Sequence, residues 1–230
     1  MTATSRRVLV VAAVAIVVYH VATGRLLSRT NALFLTVLIP SVILHEVSHG
    51  AVAYAFGDDT AKRAGRLTLN PIRHIDPFGT VILPAMLVLA GAPAFGYAKP
   101  VPVNVGRLRR PRDHGLLVSL AGPATNLALV AVATVIYRVY RPAGTAHDLV
   151  ILLGEANLLL ALFNMLPLPP LDGSAIVERL LPATWWPGWL KMRQYAMAIL
   201  LLLLLMAPPS LSFGRIFFPV LRYWSHTFLT

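Results

Sequence analysis

The stretch ALFLTVLIPSVILHEVSHGAVAYAF, residues 32–56, holds the motif HEVSH at residues 45–49 inside an otherwise apolar run. A run of this length can cross a bilayer as a helix, which needs about 20 residues. Residues four apart share a helix face, so His45 and His49 point the same way. Two imidazoles at that spacing can hold one zinc ion, with Glu46 placed to activate a zinc-bound water. Ionisable side chains at membrane depth are costly, which marks this motif as a candidate functional site.

Composition predicts the protein class. The chain has 230 residues, of which 57% are hydrophobic and 13% are charged, whereas a soluble domain carries about 25% charged residues. The apolar residues come in blocks, which predicts a single all-α polytopic membrane domain over residues 1–230. Cysteine is absent, so a zinc site has to use His, Asp or Glu.

The apolar blocks predict about six transmembrane helices. Six blocks stand out, and Leu211–Trp224 is a weaker seventh: Val8–Ala22, Ala32–Phe56, Thr80–Ala92, Leu116–Tyr137, Leu149–Leu166 and Tyr195–Ala207. We expect a catalytic core over about 32–175, with accessory helices at 8–22 and 195–224. The first block follows two Arg residues but lacks a clear small-x-small cleavage site, so we interpret it as a retained helix.

The block Thr80–Ala92 has about thirteen residues and contains Pro84. A length of 10–14 residues is typical of a re-entrant or interfacial segment rather than a full crossing. Just before it, the stretch 65–71 alternates in polarity and ends in Asn-Pro, which predicts a small β-hairpin at the membrane surface.

The net charge is +11, which we attribute to loop Lys and Arg residues rather than to nucleic-acid binding, because no nucleic-acid-binding module is visible. If the segment Thr80–Ala92 dips and returns, fourteen Lys and Arg residues lie on the side of the N-terminus, and Arg25, Arg29, Arg138 and Arg141 lie on the other. Positive charge concentrates on the cytoplasmic side, so the sequence predicts a cytoplasmic N-terminus.

A hydrolytic zinc site generally has a third protein ligand. Asp172 is the best candidate, because the prolines before it break the helix and Gly173 permits a tight turn, so that its carboxylate can project from an unwound helix end. Glu155 competes, but we place it near the opposite end of its helix, at the wrong depth. His74 also stays open, although a loop histidine is the simpler interpretation.

Taken together, these motifs resemble the site-2 protease family of intramembrane zinc metalloproteases. The matching pieces are the motif at 45–49, Gly122-Pro123-x-x-Asn126, and the stretch 164–173 that ends in Leu-Asp-Gly, and they cover most of 32–175. The stretches 70–77 and 95–103 look like the compact prokaryotic branch without a PDZ domain.

The resemblance implies a role for each site residue. His45, His49 and Asp172 would hold one zinc ion per chain, and Glu46 would be the general base. Asn126 would be a catalytic and substrate-binding residue that hydrogen-bonds the substrate backbone or the developing oxyanion, with a hydrogen bond between helices as the alternative.

Two further parts of the chain would contact substrate in this family. Asn164 would be a substrate-binding residue, with satisfaction of the broken helix backbone as the alternative role. The segment 65–92 would hold the substrate as an extended strand, because helical peptide bonds must unwind before attack.

The expected function is therefore hydrolysis of a peptide bond in or beside a transmembrane segment of a substrate protein. The resemblance implies a multi-pass protein of a bacterial plasma membrane whose active site opens toward the cytoplasm, with the lipid bilayer and a transmembrane protein substrate as partners. A zinc-binding transporter or sensor without proteolytic activity is the alternative, and a catalytically silent scaffold is a second one.

Overall fold

The computed structural model describes residues 28–83, 97–206 and 213–229. Within these ranges the chain is helical and contains no strand, which confirms the predicted all-α class. Three long helices dominate: α1 (Arg29–Ala55), α3 (Pro111–Tyr140) and α4 (Gly144–Asn164). Helix α2 is a single turn, Thr60–Arg63, just after α1.

The three long helices pack against one another as a bundle. Arg29 at the start of α1 donates to Thr145 Oγ1 at 3.0 Å and pairs with Asp148 at 2.9 Å, and both partners lie in the first turns of α4. Helices α1 and α4 therefore run in the same direction and α3 runs back between them. The segments 56–83, 97–110 and 165–193 consequently lie at the same end of the bundle.

The bundle has the dimensions and surface of a membrane domain. Its helices have 27, 30 and 21 residues, which correspond to about 32–45 Å at 1.5 Å per residue, against a hydrocarbon core of about 30 Å. Large apolar side chains face outward; Val135 and Val139 on α3 are 59% and 65% exposed. All three helices are long and apolar enough to cross a membrane, so the chain is membrane-associated.

The prediction of about six spans is not supported, because three helices in the described ranges meet the length and hydropathy of a span. The block 8–22 lies outside the described residues. The block 195–224 contains α7 (Ala196–Met206) and most of α8 (Phe213–Phe228), which have 11 and 16 residues and are shorter than the roughly 20 that a crossing needs. Two short helices precede them, α5 (Ser174–Leu180) and α6 (Trp186–Arg193).

The predicted β-hairpin at 65–71 is wrong, because side chains take the bonds that a strand ladder would use. Asn70 accepts from the backbone N–H of Ile72 at 3.0 Å and starts a short 3-10 helix at 71–74. His74 donates to the carbonyl of Thr68 at 2.8 Å. A π-helix follows at Pro77–Ile82. The predicted re-entrant segment lies mostly in 84–92, outside the described residues.

Helix α4 begins earlier than the apolar pattern indicated. It starts at Gly144 rather than at residue 149, since its polar first turns are tied to α1 through Asp148. Glu155 therefore lies at the middle of the helix and not near its end, which corrects the predicted depth.

Helix α8 docks on α4 through one aromatic side chain. Trp224 is 6% exposed, and its ring fills the space above Gly154, where an added Cβ would overlap it. Its indole N–H donates to Thr134 Oγ1 on α3 at 3.0 Å. One tryptophan thus connects α8 to two helices of the bundle.

Candidate metal centre

Three potential ligands meet at the end of the bundle where α1 and α4 finish. The Nε2 atoms of His45 and His49 lie 3.1 Å apart. Asp172 Oδ2 lies 3.1 Å from the first and 3.3 Å from the second. Among the described residues, this trio is the group of histidine and acidic side chains close enough to hold one metal ion.

The opposite ring nitrogens of the two histidines fix their protonation. His49 Nδ1 lies 2.7 Å from the carbonyl oxygen of Val118 on α3, and His45 Nδ1 lies 2.6 Å from Asn126 Oδ1. Both oxygens can only accept a hydrogen bond, so in the neutral rings both Nδ1 atoms carry the proton and both Nε2 atoms present a lone pair. Hydrogen bonding of the second nitrogen is the usual arrangement for metal-binding histidines.

The three ligand atoms fit a zinc ion. Zinc–ligand bonds of 2.0–2.2 Å in a tetrahedron place the ligand atoms about 3.3–3.5 Å apart, close to the 3.1–3.3 Å found here. Asp172 Oδ2 is buried and meets no hydrogen-bond donor among the described residues. Three converging lone pairs repel one another unless a cation lies between them, and three protein ligands leave the fourth position that a catalytic zinc needs.

The loop after α4 delivers Asp172. The helix ends at Asn164, whose carbonyl accepts from the backbone N–H of Gly173 at 2.6 Å, so the proline-containing loop closes on itself. This closure places the carboxylate of Asp172 against the two Nε2 atoms.

Helix α3 approaches the ligands closely at Gly122. A Cβ atom at this position would lie 2.5 Å from His45 Cε1 and 2.6 Å from its Nε2, and closer still to His49 Nε2. The sequence marks Gly122 as part of a motif, but its contact with both imidazoles is visible only in the fold. The missing side chain is what allows α3 to cover the site.

An extended segment at 97–104, which we call the strap, passes beside the motif. The backbone N–H of Val101 donates to Glu46 Oε2 at 2.9 Å. Arg66, which is 7% exposed, donates to the carbonyls of Lys99 and Pro100 at 2.6 and 3.3 Å. The carboxylate next to the presumed ligands is therefore held by the chain's own backbone.

The far end of the strap is held by Asp58, which is fully buried. Its carboxylate accepts from the backbone N–H of Asn104 at 2.6 Å and from the backbone N–H and hydroxyl of Thr60. Burial raises the pKa of Asp58, but these hydrogen bonds, with a smaller contribution from Arg107, outweigh it and lower the pKa.

The two asparagines predicted to contact substrate make intramolecular contacts. Asn126 is fully buried, with Oδ1 on His45 and Nδ2 donating to Asn157 Oδ1 at 2.8 Å. Asn164 donates from Nδ2 to the carbonyl of Leu160 at 3.0 Å. These are the contacts of the alternative role stated for each residue, and their substrate-binding roles stay predictions.

Glu155 and His74, the two competitors for the third ligand, lie outside the trio. Sequence reasoning missed Asn157, Ser41 and Val118, which hold the imidazoles directly or through a neighbour. The sequence signal for Asn157 was an amide side chain within an apolar helix, where polar groups need a partner. The sequence holds no signal for Val118, because this residue contributes its backbone carbonyl.

Comparisons with known proteins point to the same chemistry. The chain is 46% identical over 154 residues to "Putative zinc metalloprotease YwhC" of Bacillus subtilis, an alignment that covers 63% of this chain and 67% of that protein. It is 31% identical over 193 residues to "Putative zinc metalloprotease Rip2" of Mycolicibacterium smegmatis, covering 82% and 70%.

A third protein is also similar. "Putative zinc metalloprotease MJ0611" of Methanocaldococcus jannaschii is 31% identical over 136 residues, covering 59% of this chain and 64% of that protein. No family model and no solved structure matches the chain. With extended similarity to these relatives, and with two histidines and an aspartate converging in its fold, the chain belongs to the zinc metalloprotease family of YwhC and Rip2.

Proposed function

We propose that this protein is an intramembrane zinc endopeptidase of the site-2 protease type, which hydrolyses a peptide bond in or beside a transmembrane segment of another protein. One observation carries the proposal. The Nε2 atoms of two histidines and a carboxylate oxygen of Asp172 converge within 3.3 Å of one another inside a bundle of apolar helices, with Glu46 next to His45 on α1.

His45, His49 and Asp172 would hold the zinc ion. Bound zinc supplies a Lewis acid that polarises the scissile carbonyl and makes water acidic enough to lose a proton near neutral pH. Glu46 accepts that proton and later delivers it to the leaving amine. To do so, its carboxylate exchanges the N–H of Val101 for water, so the strap beside it shifts when substrate enters.

The site lies toward one membrane surface. His49 is six residues, or about 9 Å, from the end of α1, whereas the middle of the hydrocarbon core is about 15 Å deep. Water can therefore reach the site from this end. The substrate meets Glu46 and the strap as an extended segment, since a helical peptide bond is covered by its neighbours.

The distribution of charge supports a cytoplasmic position for this end of the bundle. Of the described Lys and Arg residues in or next to the three long helices and in the segments up to residue 193, Arg29, Arg138 and Arg141 lie at the opposite end. Twelve lie at the end with the metal centre: Lys62, Arg63, Arg66, Arg73, Lys99, Arg107, Arg109, Arg110, Arg112, Arg179, Lys191 and Arg193. The positive-inside rule favours the cytoplasm for the richer side.

The test compares metal content with cleavage in protein reconstituted into lipid vesicles. Zinc per chain is measured for the wild type, for Asp172→Ala and for Glu46→Gln, and cleavage is followed with fluorogenic peptides that carry an apolar segment of about 20 residues. We expect about one zinc in the wild type and in Glu46→Gln, much less in Asp172→Ala, and cleavage by the wild type alone.

The Glu46→Gln variant separates the proposal from its alternatives. A transporter or sensor would bind zinc and keep its function in this variant, because a glutamine changes the proton chemistry and leaves the ligands in place. A scaffold would bind no zinc in chelator-free buffer. Equal zinc in the wild type and in Asp172→Ala would remove Asp172 from the ligand set.

A further inference from the structure

A chain of four buried side chains runs across the bundle to the metal centre. Ser41 on α1 is followed by Asn157 on α4, Asn126 on α3 and His45 on α1, and their exposed fractions are 1%, 0%, 0% and 6%. The three successive contacts measure 2.9, 2.8 and 2.6 Å. Each link joins two different helices.

The direction of every hydrogen bond in this chain is set at Asn157. Its Nδ2 atom lies 2.8 Å from the carbonyl oxygen of Leu153, which can only accept, so nitrogen has to occupy that position. The same nitrogen donates to Ser41 Oγ, whose own proton goes to the carbonyl of Val37 at 2.8 Å. Asn157 Oδ1 is left to accept from Asn126.

The orientation of the Asn126 amide in turn determines which nitrogen of His45 carries the proton. Because Asn126 donates to Asn157 through Nδ2, its Oδ1 faces His45 Nδ1, and that nitrogen must carry the ring proton. The lone pair consequently lies on Nε2, the atom that faces His49 and Asp172. If the amide of Asn126 were turned over, its N–H would face His45 Nδ1, and the neutral ring would place its proton on Nε2 and could not bind a metal there.

We propose that Asn157 is a positioning residue that holds the amide of Asn126 in one orientation and thereby fixes the ring form of His45 that can bind zinc. The inference rests on the proposed metal centre and extends it to a residue outside every motif noted above. Among the described residues, the hydrogen-bond partners of the Asn157 amide are Ser41, Leu153 and Asn126, which are all uncharged.

Two substitutions of similar size distinguish the positioning role of Asn157 from a purely structural role, because the two roles predict opposite orders of metal affinity. Asn157→Leu fills the space with an apolar side chain but removes the acceptor for Asn126, whose amide is then free to turn over. Asn157→Asp keeps an acceptor oxygen toward Asn126. In this apolar surrounding its carboxyl group is neutral and donates its one proton to the carbonyl of Leu153, so that the bond to Ser41 Oγ is lost while the bond to Asn126 remains. Packing favours leucine at this site, whereas the positioning role favours aspartate.

The experiment measures metal affinity by chelator competition, using Co(II) as the probe, with the visible absorption of the bound ion reporting the ligand geometry. We expect Asn157→Leu to bind Co(II) about 10–100-fold more weakly with an altered spectrum, as is typical when a partner of a ligating histidine is removed. Asn157→Asp should keep the wild-type spectrum and bind within a few-fold of the wild type.

Thr134→Val is the matched control. It removes a partly buried hydroxyl that bonds Trp224 and the carbonyl of Val130, away from the chain of four. We expect a lower melting temperature and unchanged Co(II) affinity. Wild-type affinity in Asn157→Leu, or weaker binding in Asn157→Asp than in Asn157→Leu, would overturn the proposal.

A second measurement is independent of metal and of the ability of the variants to fold. Solid-state ¹⁵N NMR of the metal-free wild type distinguishes protonated from unprotonated ring nitrogens of His45. We expect the proton on Nδ1, and a proton on Nε2 alone would refute the positioning role. A wild type that binds no metal but shows the Nδ1 form would count against the proposed function and leave the positioning role standing.

Discussion

Replacing Gly122 by alanine should empty the metal centre while leaving most of the bundle folded. The new Cβ would lie 2.5 Å from His45 Cε1 and 2.6 Å from its Nε2, about 1 Å inside the optimal separation of nonbonded atoms. The His49 ring cannot simply turn away, because its Nδ1 is hydrogen-bonded to the carbonyl oxygen of Val118 at 2.7 Å. Val118 lies one turn before Gly122 on α3.

The magnitude follows from how the overlap is relieved. Either α3 moves away from α1 by about 1 Å, or both imidazoles leave their positions, and overpacking of this kind costs about 1–3 kcal/mol of stability. Metal sites tolerate deviations of about 0.2 Å in ligand distance, so a 1 Å displacement of two ligands should weaken zinc binding by about 100-fold, the upper end of the 10–100-fold range found when a partner of a metal ligand is lost.

The assay is zinc per chain after dialysis against a graded series of chelator concentrations, with thermal unfolding measured in parallel. Gly188→Ala on α6 is the control, because a Cβ there meets no atom within 4 Å; it should leave zinc affinity unchanged and should not lower stability. Wild-type zinc affinity in Gly122→Ala would show that α3 does not set the geometry of the ligands.

Two other substitutions test how Asp58 holds the strap and how α8 docks on α4. Asp58 has a lowered pKa, so its contribution to stability is present above its unfolded-state pKa of about 3.9 and is lost as the pH falls through the lower folded pKa. Asp58→Asn should therefore reduce the melting temperature at pH 7 and make the decrease of the melting temperature below pH 4 less steep. If the melting temperature of the variant decreases below pH 4 as steeply as that of the wild type, other groups cause the decrease. Gly154→Ala should push Trp224 out of its site at a cost of about 1–3 kcal/mol, seen as a red shift of tryptophan emission. Unchanged emission would mean that α8 is not seated through this ring.

The parts of the site that could be predicted from sequence are those set by local geometry. The helical period places His45 and His49 on one face whatever surrounds them. The prolines before Asp172 end α4, and a broken helix end is where a carboxylate can project. His45, His49 and Asp172 could be predicted as metal ligands for this reason, although Asp172 lies far from the two histidines in the chain.

The parts that could not be predicted depend on pairing between helices. Nothing in the apolar run of α4 indicates that Asn157 meets Ser41 and Asn126, because that contact is set by the rotation of three helices. The alternating pattern at 65–71 predicted a hairpin, but the side chains of Asn70 and His74 bond the local backbone, and side-chain bonding of this kind leaves no periodicity in the sequence.

The start of α4 was misplaced for a different reason. Apolar periodicity ends where polar residues begin, whereas the helix continues back to Gly144 because Asp148 pairs with Arg29 across the bundle. This shift of five residues moved Glu155 from an expected helix end to mid-helix. A hydropathy profile measures where lipid contact stops, and a helix can extend beyond that point.

The distance along the chain between the ligands has a consequence for biosynthesis. Asp172 follows His45 by 127 residues, and at about 5–20 residues per second the ribosome adds it roughly 6–25 s later. During that interval the nascent chain holds two of the three ligands, and α3, which covers them at Gly122, is still being completed. The metal centre therefore cannot form until synthesis has passed the end of α4, so the histidines of α1 wait for their third ligand.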